Sequence, residues 1–300
     1  MRPSFLEGVR RGNADGVGQQ GPDVSGSVAV VFVETAKDLL VAALIFVPVE
    51  RLFALRREQR IFRSLWCLDL IHVFVTGFLY RLGAVLLAIL VGMRLREIMP
   101  PEVHEAVAAQ PLWLAVVEII VIADLGFYFV HRAFHEIPWL WRFHAVHHSI
   151  EELDFLAAHR VHPFDQILTR AMTLLPVTAL GFSSEALVVF AVLYHWHSLL
   201  LHANVRISFG PLRWLIASPR FHHWHHADDR LARDRNFAGQ LAILDLLLGT
   251  IHLPAGASPH RYGTETPVPR SYFGQLVFPF RRQTGPAPSR VGGAAGEGFD

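Results

Sequence analysis

The strings HRAFH at 131–135, HAVHH at 144–148 and HHWHH at 222–226 decide how this chain is read. On a helix, residues three and four apart share a face. His131 with His135, His144 with His147 and His148, and His222 with His225 and His226 therefore each project two or three imidazoles one way, while His223 points elsewhere. These eight histidines exceed the three or four ligands of a single zinc, so two metal ions are the natural count. An all-imidazole set suits zinc, copper, iron or nickel, and not magnesium or calcium, which take oxygen ligands.

Outward from those strings the chain is apolar. Its 300 residues are 52% hydrophobic and 18% charged, with a mean hydropathy of +0.33, which is too greasy for an ordinary soluble domain and points to a membrane protein. Histidine is in surplus, with 18 copies against 12 Asp and 14 Glu, and 14 of the 18 fall between His131 and His226. The formal charge of +1 offers no basic face for nucleic acid. A single cysteine, Cys67, excludes an intrachain disulfide and any thiolate-built metal cluster.

Residues 1–27 are rich in Gly with scattered Gln, Asp and Ser and no periodicity, the composition of a disordered leader, and they lack the compact order of a secretory signal. The stretch 283–300 reads as a similar tail, leaving 28–282 as one membrane-embedded unit. Four segments approach the roughly 20 apolar residues needed to cross the hydrocarbon layer. They are 29–49, which holds Glu34, Lys37 and Asp38; 71–93, with Arg81; 112–130, with Glu118 and Asp124; and 171–201, which breaks at Gly181 and is drawn as a hairpin. The expected fold is therefore an all-α integral membrane bundle under a helical cap. Arg51, Arg56, Arg57, Arg60 and Arg63 crowd the link after the first segment, and such loops stay cytoplasmic. Counting from there, His131 emerges on the cytoplasmic face, and the hairpin returns His222 to His226 to that same face.

From about 124 to 254 the sequence resembles the fatty acid hydroxylase / sterol desaturase superfamily of integral-membrane, histidine-rich di-iron oxygenases. The likeness is carried by DLGFYFVHRAFHEIPWLWRFHAVHHS at 124–149, HRVHPFD at 159–165, LHANVR at 201–206, SPRFHHWHH at 218–226 and DRNFAGQLAILDLLLGT at 234–250. The resemblance implies that His131, His135, His144, His147, His148, His222, His225 and His226 ligate two irons and that His202 completes the shell. His162, in the HP dipeptide, matches a further recurrent histidine that ligates metal or lines the site. His159, His195 and His197 are expected to support or pack. Asp124 either orients a ligand or faces a helix neighbour, and Asn204, Asn236 and Asp245 are expected to make structural hydrogen bonds. Leu248 departs from the family pattern, which usually has an aromatic there.

The resemblance further implies dioxygen-dependent hydroxylation or desaturation of a lipid C–H bond. Electrons must come from a separate reductase, ferredoxin or cytochrome, because the chain has no Gly-rich dinucleotide turn, cysteine cluster or haem-attachment motif. An apolar slot near Phe127, Phe155 and Trp196 is expected to admit the lipid. The competing class is a histidine-rich membrane metal transporter or metal-binding protein. It is disfavoured because transport paths need polar groups near the bilayer midplane, whereas these strings follow the apolar segments. A zinc hydrolase would carry an HExxH pair, and no Glu lies inside any of the three strings. His72, His104, His252 and His260 stand alone and read as structural or surface residues.

Overall fold

A computed structural model describes residues 24–281. The expected tail at 283–300 and all but the last four residues of the expected leader lie outside them. Those four open the first helix, α1 (Val24–Leu52). Among the described residues the chain is helical and has no strand, as the sequence implied.

After a short link, α2 (Trp66–Ile71), α3 (Gly77–Leu87) and α4 (Met93–Ile98) run end to end, joined by π-helical turns at His72–Thr76 and Ala88–Gly92. α5 (Pro101–Ala108) then leads into α6 (Leu112–Glu136), the central helix. Its residues Ala115, Ile119 and Ala123 are buried, whereas Trp113, Val117, Val121, Leu125 and Phe129, every fourth residue, are exposed. Such a stripe would be an aggregation hazard in water and is ordinary solvation in lipid. α8 (Pro163–Leu180) and α9 (Ser184–His202) pack on α6. A Cβ at Gly126 would stand 2.2 Å from the Met172 carbonyl oxygen, so glycine is what lets α6 and α8 cross this closely.

The break at Gly181 lies where the sequence put it, with the glycine at φ 82° closing α8 and Ser183 Oγ accepting from the Ala186 amide to cap α9. The two arms nevertheless pack on α6 more than along each other. Among the described residues three stretches are long and apolar enough to cross a bilayer: Trp66–Ala84, Leu112–Glu136 and Ser184–His202. The sequence reading had four. α1 has the length but carries Glu34, Lys37 and Asp38 and is not among the three, nor is α8. α6 also continues past the expected end at 130, so His131 and His135 stand on the last two turns of a helix of spanning length.

The remaining helices, α7 (Pro138–His148), α10 (Pro219–His225), α11 (Ile243–Leu247) and α12 (Tyr272–Val277), belong to the cap. The basic link folds onto it. The Arg56 amide donates to Asn204 Oδ1 at 2.9 Å, and Gln59 Nε2 donates to the Leu153 carbonyl at 2.8 Å. Arg63, read from sequence as one of the orienting charges, is instead buried between Asp69 and Asp154 at 2.6 and 2.7 Å. Asp69 also accepts from Arg160. Link and histidines therefore occupy the same end of the bundle.

Candidate metal centre

Nine of the ten expected ligands come together, and they do so as two groups in which one ring nitrogen per residue lies within 4.8 Å of the others. The first comprises His131 and His135 from α6, His144 and His148 from α7, and His225 from α10. The second comprises His147 from α7, His202 from α9, and His222 and His226 from the α10 end. The strings are thus split between groups. His144 and His148, four apart, serve one, while His147 serves the other; His222 and His226 are divided from His225 in the same way.

Local sequence explains the placement. α7 and α10 both start on a proline, Pro138 and Pro219, whose missing amide hydrogen costs nothing in a first helical turn. Ser218 caps α10 by accepting from the Phe221 amide at 3.3 Å. The loop at 234–242 is pinned from two sides. Asp124 accepts from the amides of Gly239, Gln240 and Leu241 at 2.7 to 2.9 Å. Asp245 accepts from Phe237, Ala238 and Thr250 at 2.6 to 2.8 Å. Asn236, in a left-handed conformation at φ 59°, donates to the carbonyls of Phe221 and His252. Gly239 is required here, since a Cβ would come within 3.0 Å of Asp124 Oδ1 and 3.1 Å of Phe127. Asp124 therefore orients a loop and does not touch a histidine ring, while Asn204, Asn236 and Asp245 make structural hydrogen bonds.

That loop aims backbone carbonyls at the far side of the rings. His131 Nδ1 lies 2.7 Å from the Phe237 carbonyl, and His225 Nδ1 lies 2.8 Å from that of Arg235. His147 Nδ1 meets the Arg160 carbonyl at 3.1 Å, and His202 Nδ1 meets that of Ser198 at 2.8 Å. Two carboxylates play the same part, Asp165 at 2.8 Å from His144 Nδ1 and Asp234 at 3.2 Å from His135 Nδ1. A carbonyl can only accept, so each facing Nδ1 carries the hydrogen and each Nε2 keeps a lone pair. None of these backbone partners was legible in the sequence, because every residue type has a carbonyl.

The lone pairs then face one another. His147 Nε2 and His202 Nε2 are 3.2 Å apart, and His131 Nε2 and His144 Nε2 are 3.0 Å apart. With both Nδ1 atoms of a pair already donating, neither Nε2 has a hydrogen to offer. His135 Nε2 is buried with no partner at all. Burial first, and then neighbouring histidines, hold His144, His148, His222 and His226 well below the ordinary imidazole range, so protons do not resolve the contacts. Converging imidazoles, six of them hydrogen-bonded at the outer nitrogen, are the donor set of a metal site. The residues present fit two metal ions.

The tenth expected residue, His162, belongs to neither group. Its Nδ1 accepts from the Phe164 amide to cap α8, and its Nε2 lies 3.1 Å from the Leu276 carbonyl. His223 is buried between the Ala203 carbonyl and the Tyr262 hydroxyl, and His197 meets the Ala217 carbonyl at 2.8 Å, so both are structural. Phe127, Phe155 and Trp196, expected beside a lipid slot, are packed against neighbouring side chains. Phe127 stands against His131 and the Gly239 turn, while Phe155 and Trp196 stack on Phe46.

The fatty acid hydroxylase family matches residues 116–250, a span that contains all nine converging histidines. Residues 116–250 thus form a fatty acid hydroxylase domain. It is 35% identical over 173 residues to ornithine lipid hydroxylase OlsE of Rhizobium tropici, covering 58% of this chain and 52% of that one. It is 34% identical over 130 residues to human alkylglycerol monooxygenase, covering 42% and 28%. Over 177 residues it is 30% identical to the very-long-chain aldehyde decarbonylase GL1-1 of Oryza sativa subsp. indica, covering 50% and 28%. The matched region thus spans about half of the first of these relatives and less of the others. No solved structure matches the chain. With three apolar helices of spanning length among the described residues, the chain is an integral membrane protein.

Proposed function

We propose that the chain is a di-iron, dioxygen-dependent lipid hydroxylase whose metal site faces the cytoplasm. The observation that carries the reading is the pair of buried imidazole groups with their lone pairs turned inward. His131, His135, His144, His148 and His225 would hold one iron, and His147, His202, His222 and His226 the other. Iron bound there supplies what no side chain can, the activation of dioxygen against an unactivated C–H bond. In the overall reaction one oxygen atom enters the C–H bond and the other leaves as water, which requires two electrons and two protons from a separate donor.

The chain's own residues do the rest. Burial keeps His144, His148, His222 and His226 neutral and therefore able to ligate. The carbonyls of Arg160, Arg235 and Phe237 and the carboxylates of Asp165 and Asp234 fix the ring orientations. The packed cap excludes water, and the α-bundle presents lipid from the membrane side. Hydroxylation is preferred to desaturation because two of the relatives are a hydroxylase and a monooxygenase by name.

Elemental analysis of the purified chain is expected to give about two irons. Cells carrying the gene are expected to gain a lipid heavier by one oxygen, while a loss of two hydrogens would indicate desaturation. His147→Ala should abolish the product and lower bound iron, whereas His260→Ala, at an exposed position, should do neither. Iron near zero together with an unchanged lipid profile would favour a histidine-rich metal transporter or metal-binding protein instead.

A further inference from the structure

Away from the histidine groups, a cavity of about 470 Å³ separates α8 and α9 and is walled on its other sides by α1 and the α2–α3 run. One part of its lining is apolar, from Leu39, Val73, Leu174, Leu187 and Phe190. The other part carries charge. Arg81 lies within the spanning stretch Trp66–Ala84, and Arg170 lies mid-way along α8. Ionisable groups inside membrane segments usually mark a ligand or an ion path.

These charges are not neutralised by one another. Among the described residues neither arginine, nor Asp38 on the facing wall, makes an ion pair. Both cations are held in place all the same. Arg81 Nη1 donates to Thr35 Oγ1 at 2.5 Å, and Thr35 is buried and donates onward to the Val31 carbonyl. The Arg170 guanidinium lies 4.5 Å from the ring centre of Tyr194 and 5.5 Å from that of Tyr80, an arrangement that fixes its plane and leaves its N–H fork free. Two oriented guanidinium groups against one carboxylate leave the lining with a formal charge of +1. The π-helical turn His72–Thr76 contributes His72, Val73 and Thr76 to the same wall, and such turns gather at functional sites.

We propose that this cavity binds an anionic amphiphile, with its carboxylate or phosphate gripped by Arg81 and Arg170 and its chain among Leu174, Leu187 and Phe190. A planar fork meeting two oxygens is the geometry for which arginine is suited. The inference rests on the lipid-oxidising reading in taking that amphiphile as the substrate. Two lining residues connect the cavity to the second histidine group. His159 immediately precedes Arg160, whose carbonyl holds His147. His195 stands seven residues before His202 on α9, which is two turns or about 10 Å.

The test is equilibrium binding to the purified, iron-loaded chain in phosphatidylcholine nanodiscs. The probes are matched pairs, palmitate against hexadecanol and phosphatidic acid against diacylglycerol, with inorganic phosphate as a chain-free anion. Each acid is expected to bind at least about tenfold more tightly than its neutral partner, the scale of a hydrogen bond to a charged group. Arg170→Gln and Arg81→Gln should each erase that preference while leaving iron content and the affinity for the alcohol unchanged. Equal binding of acid and alcohol by the unaltered chain would overturn the proposal, as would a preference that survives in a folded Arg170→Gln. Inorganic phosphate competing as well as phosphatidic acid would also overturn it, by making the cavity a site for a free anion. The comparison of acid with alcohol needs no variant, so a substitution that fails to fold leaves the test intact. Acids that bind with the expected preference but are never oxidised would support the cavity assignment and sink the oxidation reading alone.

Discussion

The five histidines around His144 and the four around His222 share α7 and α10, differ in taking their remaining ligands from α6 or α9, and are held by different means. In the first group, carboxylates reach two rings, Asp165 on His144 and Asp234 on His135, and carbonyls hold two more. Aromatic walls close it, with Phe134 stacked on His144 and Trp141 against both His135 and His148. The second group has backbone carbonyls on His147 and His202, while His222 Nδ1 and His226 Nδ1 are buried without a partner. A carboxylate behind an imidazole raises its basicity and locks its plane. The lesson is that two neighbouring groups that share the strings at 144–148 and 222–226 can differ in how firmly their rings are held, and the difference lies in residues outside those strings.

The strongest way to break that comparison is to remove one ligand from each side. His225→Ala and His222→Ala are each expected to cut turnover by more than about 100-fold, beyond the effect of losing a supporting residue. Each should also lower the metal count by about one per chain. Elemental analysis showing both metals gone from either variant would mean that the groups load as a single unit. A smaller effect should sharpen the contrast: Asp165→Asn keeps an acceptor for His144 but removes the charge, and should cost about 10- to 100-fold in metal affinity or activity. Metal titration of that variant reads the effect, and unaltered affinity would show that carboxylate support does not distinguish the two groups. The smallest effect concerns the histidine that joined neither. His162→Ala should lower stability by about 1 kcal/mol, the ordinary loss of a helix cap, with metal content unchanged. A denaturant or thermal titration alongside metal analysis checks this, and lost metal would return His162 to the site.

The parts of this arrangement that could be read from sequence are those encoded by local spacing or by a distinctive side chain. The helical offsets within the three strings, the stop at Gly181 and the polar roles of Asn236 and Asp245 are of that kind. The division of His147 from His148 was not legible, because a shared helical face does not say which of two neighbouring centres each ring serves. Arg160, Arg235 and Phe237 act through carbonyls, which leave no trace in residue identity. His162 stands outside both groups, and an HP dipeptide also suits a helix start, with proline in the first turn and the imidazole as cap. Aromatic residues in the sequence suggest a slot, yet Phe155 and Trp196 pack on Phe46. Arg81 reads in the sequence only as an interruption of an apolar segment, since what a charge faces across a bundle depends on packing between distant helices.

The opposed lone pairs of His147 and His202 also bear on how much of this protein a cell can keep. A cap closed without a cation sets those atoms against each other, so the closed state and the loaded state are thermodynamically linked. Free metal at a hundred times its dissociation constant adds about 2.7 kcal/mol to the folded side. When the metal is scarce, a larger share of newly made chains would sit with the cap open and within reach of membrane proteases. Steady-state abundance would then follow metal supply even with synthesis held constant.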